Sequence, residues 1–298
     1  MIDEKKIDRM RNGKGFIAAL DQSGGSTPKA LLAYGIPENT YQTEEEMFDI
    51  VHDMRKRIIT SPQFTSEHIL GAIIFEGTMK RKIGELYTGE YLWDKKHILP
   101  LLKIDKGLAT EDDGVQLMKD IPDLNKTLTE ANEHHIFGTK QRSFISKASE
   151  HGIKAVVDQQ IELAKKVFAA GLIPTIEPEI DIHSPQKGEA EVILKKYLLE
   201  ELNKLADNVL VMIKVSLPNV PDFYKELIEH PRVLRVLALS GGYKRSEADK
   251  KLAENHGMIA SFSRALLEDL TYQETDFEFE SSLRYEIQEI YGASVNKD

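Results

Sequence analysis

The sequence predicts an α/β fold, a single parallel eight-stranded (β/α)8 TIM barrel taking in residues 1–298, and three observations carry that reading. Eight short apolar runs alternate with helical segments, the order expected of repeated βα units. The length of 298 residues suits such a barrel, which needs about 250. Charged residues also recur in phase: Lys103, Lys140, Glu177 and Lys214 stand 37 positions apart, so four successive units are expected to place a charge at the same height. An open doubly wound sheet is the alternative. Against it, no G-x-G-x-x-G follows the first strand, and Ser23-Gly24-Gly25-Ser26 does not complete a Walker A loop.

After an amphipathic, charged start, the first strand is Lys14 to Asp21 (KGFIAALD), closed by the small polar turn Gln22 to Thr27. Met47, Ile50, Val51, Met54 and Ile58 recur at helical spacing within Thr43 to Thr60. Gly71 to Phe75 is the second strand and His97 to Ile104 the third, turned away by Asp105-Lys106-Gly107. A polar helix through Thr129 and Glu133 leads to the fourth, His135 to Lys140. The stripe Ile153, Val156, Val157, Ile161, Ala164, Val167 and Phe168, stopped by Gly171, predicts a helix from Gly152 to Ala170. Strand five is Leu172 to Glu179, followed by a helix from Glu189 to Ala206. Strand six is Asn208 to Val215, with a short helix from Phe223 to Glu229 after it. Arg232 to Ser240 is the seventh strand, Ser246 to Asn255 a helix, and Met258 to Phe262 the eighth strand, before an acidic helical tail. No low-complexity linker interrupts the chain, which is therefore expected to be one domain.

The sixth strand holds the residue hardest to explain. Lys214 interrupts the aliphatic run NVLVMIKVSLP, and a strand covered on both faces rarely takes a lysine unless it is paired or used. Burial disfavours the ammonium form, and a neutral amine is the nucleophile of Schiff-base chemistry. The plainer alternative is a strand-end lysine whose head snorkels into solvent. Parity bears on the choice. Thr175, Glu177 and Glu179 alternate with Ile176, Pro178 and Ile180, and Leu210, Met212 and Lys214 with Val211, Ile213 and Val215, so each charged set shares one face.

Strand ends thus supply Asp21, Lys103, Lys140, Glu177, Glu179 and Lys214, with Ser240-Gly241-Gly242 and Arg264 after strands seven and eight. Each alone reads as a solvated strand end or a turn. Together, at the carboxyl end where barrel sites sit, they meet the needs of imine chemistry on a sugar phosphate. Lys214 attacks a ketone carbon, and Glu177 exchanges the protons of carbinolamine formation and dehydration. The iminium then accepts the electrons of the adjacent carbon–carbon bond once Glu177 or Asp21 takes the next hydroxyl proton. Lys140 is expected to repel the charge of Lys214 and to orient the carboxylates. Backbone N–H groups of Gly241 and Gly242 at a helix start, with Arg264, make an anion cradle.

The motifs GKGFIAALDQSGGSTPKAL, LLKIDKG, IFGTKQR, IPTIEPE, VMIKVSLP, LSGGY and ASFSRAL resemble, in order, those of class I fructose-1,6-bisphosphate aldolases of the bacterial branch. The resemblance runs from about Gly13 to the C-terminus. It implies reversible cleavage of fructose 1,6-bisphosphate to dihydroxyacetone phosphate and glyceraldehyde 3-phosphate through a Schiff base on Lys214, without a cofactor. It implies Glu177 as general acid and base, with Asp21, Lys140 and Glu179 as its partners. Ser240, Gly241, Gly242 and Arg264 fall at the ketone-side phosphate, Lys103 and Ser26 at the other, and Ser261 among the substrate-binding residues. The pattern is not followed everywhere. Animal-type members end in a tyrosine that serves enamine protonation, whereas this chain ends VNKD and offers Tyr291 as the nearest candidate. Gln22 and Gln141 stand where the animal type carries an acid and a tryptophan, and Ser263 where it has glycine.

Composition narrows the field further. With 41% hydrophobic and 30% charged residues the chain reads as soluble and globular. No apolar run approaches the roughly 20 residues that span a bilayer, and the first residues lack the apolar centre of a signal peptide, so a cytoplasmic location without membrane partners is expected. The absence of cysteine excludes disulfides, thiol nucleophiles and thiolate metal sites. A net charge of -10 argues against nucleic acid as a partner, leaving a phosphorylated sugar held in a focused basic pocket. A homo-oligomer stays open. The nine histidines are scattered, and His134-His135 has no metal-ligand spacing, so a metal-dependent aldolase is disfavoured and insensitivity to chelators is expected. Two rivals remain: a Schiff-base aldolase for tagatose bisphosphate or another ketose phosphate, and a non-catalytic barrel that binds phosphosugars.

Overall fold

Alternating faces of eight strands decide the architecture. The computed structural model describes residues 2–23, 25 and 27–297. In it, β1 (Phe16–Leu20), β2 (Ile69–Ile74), β3 (Leu99–Lys103), β4 (Gly138–Ile145), β5 (Ile173–Ile180), β6 (Val211–Ser216), β7 (Val233–Leu239) and β8 (Met258–Ala260) pair in chain order, all parallel. The ends of the sheet meet where the Ala19 N–H donates to the Phe262 carbonyl at 3.2 Å. Ile17, Ala19, Ile73, Leu99, Leu101, Ile173, Met212, Leu237 and Ile259 fill the barrel. Their neighbours in sequence, such as Ala18, Leu102, Ile176, Val211, Ile213 and Val215, pack outward with the helices. The parity predicted for β5 and β6 is therefore the one observed.

The helices follow from their stripes and caps. Helix α1 (Glu4–Asn12) lies across the N-terminal end of the barrel, with Met10 packed into the interior cluster. Arg235 on β7 pins it, donating to the carbonyls of Met10 at 2.9 Å and Gly13 at 2.7 Å. A short α2 (Thr27–Ala33) follows β1, then α3 (Glu44–Thr60), opened by a capping box between Thr43 and Glu46. Next come α4 (Leu124–Glu133), α5 (Glu150–Ala169), α6 (Lys187–Leu202), α7 (Arg245–Ala253) and α8 (Asp276–Val295). Helix α5 buries the predicted stripe except Phe168, which is only half-buried, and stops at Gly171, whose φ of +87° suits glycine.

Three departures matter for the site. Strand four begins later and runs five residues further than expected, because Val115–Gln116 adds an antiparallel pair to its far end, carrying Arg142 upward on the face of Lys140. The equal height expected of the charged residues holds for Lys103 with Lys140 and, continuing the Thr175–Met212 register, for Glu177 with Lys214, but not between the two pairs. Lys103 lies opposite Lys140, but Lys140 lies opposite Thr175 and Arg142 opposite Glu177, the stagger that tilted barrel strands require. Finally, β5 carries two prolines yet sits inside the sheet. It pairs with β4 along its length but with β6 only at Thr175 and Ile176, so Pro178 lies beyond the ladder it would break. Above that point the Ser216 hydroxyl staples the strands, accepting from the Ile180 N–H at 3.0 Å and donating to the Ile180 carbonyl at 2.6 Å. The ladder ends just below Glu177 and Lys214.

Candidate active site

Four charged side chains meet where the β5–β6 ladder stops. Lys214 Nζ lies 3.0 Å from Glu177 Oε1, Lys140 Nζ lies 2.8 Å from Glu177 Oε2, and Lys140 Nζ lies 2.7 Å from Asp21 Oδ2. All four are buried. The Lys214 head thus meets a carboxylate rather than being left among apolar side chains, and it does not snorkel. Lys140, expected both to repel the charge of Lys214 and to orient the carboxylates, touches two of them.

Electrostatics follow from that arrangement. Burial would push the Asp21 carboxyl up, but the charges of Lys140 and Lys214, with the contact from Lys140, outweigh it and hold it well below the usual carboxylate range. Glu177 is treated alike: burial opposes its charge, and Lys140 with Lys214 lowers it in net. Burial also opposes the Lys140 ammonium, yet Asp21, Glu177 and Asp105 together raise it well above the ordinary lysine value. Lys140 and both carboxylates therefore stand charged in one line beside Lys214.

Above this line opens a cavity of about 790 Å³, lined among others by Asp21, Lys29, Lys103, Lys140, Arg142 and Arg264. Lys103 leans on Asp105, 2.8 Å from its carboxylate. Glu179 shares the wall but not the chain of ion pairs, because Arg142 Nε takes its carboxylate. On the opposite rim, Ser240-Gly241-Gly242 turns with φ of +61° and +115° at the two glycines. The Arg264 guanidinium lies over it, its Nη2 3.5 Å from where a Cβ on Gly242 would sit, and it is the φ of +115° that calls for glycine there. Ser261 is buried, and its hydroxyl finds no partner among the described residues. Ser26 lies outside the described residues.

The known proteins most informative here agree. Residues 4–217 match the family model described as Fructose-bisphosphate aldolase class-I. The chain belongs to the class I fructose-bisphosphate aldolases. A class 1 fructose-bisphosphate aldolase from Porphyromonas gingivalis is 53% identical over 294 residues, covering 99% of this chain and 100% of that one. Those of Synechocystis and Clostridium acetobutylicum are 54% and 55% identical, over 98% and 99% of this chain and 98% and 100% of theirs. A solved fructose-bisphosphate aldolase from Plasmodium falciparum shares the fold with a TM-score of 0.79 over 98% of this chain and 94% of its own, at 20% identity.

For this class I aldolase the structure removes one candidate. Tyr291 stacks edge-on against His68, ring centres 4.8 Å apart, and His68 directly precedes β2, at the N-terminal end of the barrel. Helix α8 runs along the outside and carries Tyr291 to the end opposite the site, so it is not placed for enamine protonation. Arg142 and Asp105 were passed over in the sequence, although each stands two residues beyond a chosen lysine and therefore on its face. Arg55 was passed over too. An arginine four residues after Val51 and three before Ile58 falls on the buried side of α3, and such a cation marks a site that needs it.

Proposed function

We propose that this chain cleaves fructose 1,6-bisphosphate through an imine on Lys214, acting as one catalytic barrel over residues 1–298 and in the cytoplasm. The observation that carries the reading is the buried line Lys214–Glu177–Lys140–Asp21 beneath a cavity with cations on both rims. Glu177 lies within hydrogen-bond reach of the nucleophile, so it takes the Lys214 proton as the amine attacks the ketone carbon. It returns that proton to the carbinolamine hydroxyl, which leaves as water. Lys140 keeps its own proton and fixes the other oxygen of Glu177 throughout. Asp21 lines the cavity, where the substrate chain extends, and takes the proton of the hydroxyl carried by the far carbon of the bond that breaks. The electrons of that bond pass into the iminium, giving an enamine and free aldehyde.

Phosphates are assigned to the two rims. Gly241, Gly242 and Arg264 take the ketone-side group, with Ser240 and Ser261 beneath, while Lys103 takes the other. Glu179 acts from the wall, holding Arg142. The test is to incubate the protein with dihydroxyacetone phosphate, reduce with borohydride and map the adduct by mass spectrometry. An adduct on Lys214, absent from Lys214→Met together with its turnover, is expected. Near-normal cleavage by Lys214→Met would overturn the mechanism. A barrel that binds phosphosugars without cleaving them would give neither adduct nor turnover.

A further inference from the structure

Gln22 and Ser263 lie at opposite ends of the barrel sequence, yet Gln22 Nε2 donates to Ser263 Oγ at 2.6 Å. The contact crosses the seam between β1 and β8. It joins the loop that leaves β1 with Asp21 to the loop that leaves β8 with Arg264. The amide has one orientation that satisfies both ends. Its oxygen faces Arg55 Nη2 at 3.4 Å, and the same nitrogen donates to the Gln22 carbonyl. Arg55 is 1% exposed, donates from Nη1 to Thr78 Oγ1 at 2.7 Å, and makes no ion pair among the described residues. Burial lowers its guanidinium to about 10. A cation kept at that cost needs a use, and its contacts here are with Thr78 and Gln22. Arg264, by contrast, is exposed and unpaired among the described residues, so where its guanidinium can reach depends on where its loop stands.

We propose that Thr78, Arg55, Gln22 and Ser263 form a positioning relay that holds the Arg264 loop against Ser240-Gly241-Gly242, so that the ketone-side phosphate meets a preformed clamp. The relay rests on the imine reading of Lys214 and extends it to residues that do not touch the reacting carbon. Arg55 fixes the acceptor side of the Gln22 amide, the amide aims its NH2 at Ser263, and Ser263 anchors the residue that precedes Arg264. Without the relay the loop samples positions in which the phosphate finds one partner instead of two.

The test compares wild type, Ser263→Ala, Gln22→Met and the double variant in borohydride trapping at Lys214. One series uses dihydroxyacetone phosphate and a second uses dihydroxyacetone, which offers the same ketone without the phosphate. Each single variant should raise the half-saturating dihydroxyacetone phosphate concentration roughly three- to tenfold, the range for one lost hydrogen bond. Half-saturation with dihydroxyacetone should stay the same. The double variant should be no worse than either single, because both remove one contact, and Ser263→Thr, which keeps the hydroxyl, should restore the wild-type value. Unchanged trapping of the phosphate, additive effects, or equal weakening for both ketones would overturn the relay; the last is what general damage to the fold produces. Failure of the wild type to form an adduct with either ketone would overturn the imine reading and the relay with it.

Discussion

At the level of single residues, the site depends on charges that stabilise one another where water does not reach. Lys140 touches both Asp21 and Glu177, so replacing it by methionine leaves two buried carboxylates sharing one lysine. The sign of the pH dependence follows from the shifts. Asp21 and Glu177 are held below their ordinary values, so their contribution is present above those values and is lost as pH falls through the lowered ones. Lys140 is raised, so its contribution is present below its ordinary value and is lost only as pH climbs past the raised one. Through the neutral range all three contribute. Lys140→Met is expected to destabilise by about 3–5 kcal/mol, the cost of breaking a buried pair, and to move the acid limb of the stability curve to higher pH. Urea midpoints measured from pH 3 to 8 would check it; an unmoved acid limb would count against the coupling. Lys214 and Glu177 were legible in the sequence because a charge in an apolar strand is conspicuous and strand parity is rigid. Which carboxylate meets which lysine was not legible, since register between strands fixes that, and register depends on the stagger of the whole barrel.

Among the elements, α8 is held to α7 through a second charge cluster, half-buried and centred on the buried Glu286. Arg245, the first residue of α7, sends Nε to Glu286 Oε2 on α8 at 2.7 Å, and its backbone N–H donates to Glu268 at 2.9 Å. Asp249, Asp269 and Glu289 stand around the same guanidinium. One cation among five carboxylates does not neutralise them. Burial, with a contact from Asp269, pushes the Glu286 carboxyl up to about 8 against the pull of Arg245, and burial pushes Asp249 up to about 7. A raised carboxyl keeps a proton in the folded state that the unfolded chain releases, so this cluster loses stability as pH rises from the ordinary carboxylate range towards 8. Glu286→Gln should flatten that decline, read as thermal midpoints from pH 5 to 9. A decline as steep as in wild type would show that the cluster does not titrate. Helix α3 declared itself by its stripe and α5 by stripe and stop, while α8 was legible only as an acidic helical tail. Helix α2 was not foreseen, because seven residues opening with Thr27-Pro28 are too few to show a period. The far half of β4 was also missed: its alternating polar residues look like a loop until Val115–Gln116 supplies a partner.

For the whole molecule, fold class was the most legible property, since eight apolar runs at βα spacing leave few alternatives once nucleotide-binding loops are absent. The closing of the barrel by α1 was not legible. A charged amphipathic start reads as a surface helix, and only the carbonyls taken by Arg235 reveal that it is tied across the floor. With the packed interior above that stopper, Lys214 is reached through the cavity at the other end of the barrel. Whatever enters over Lys103 and Arg264 must leave by the same opening, and between bond cleavage and hydrolysis one half of the substrate is tethered by Lys214. The free aldehyde therefore has to depart first, and the ketone half last, once water has released it. Product inhibition would display the queue: dihydroxyacetone phosphate competing with the sugar bisphosphate for the empty enzyme, and the aldehyde inhibiting without competing.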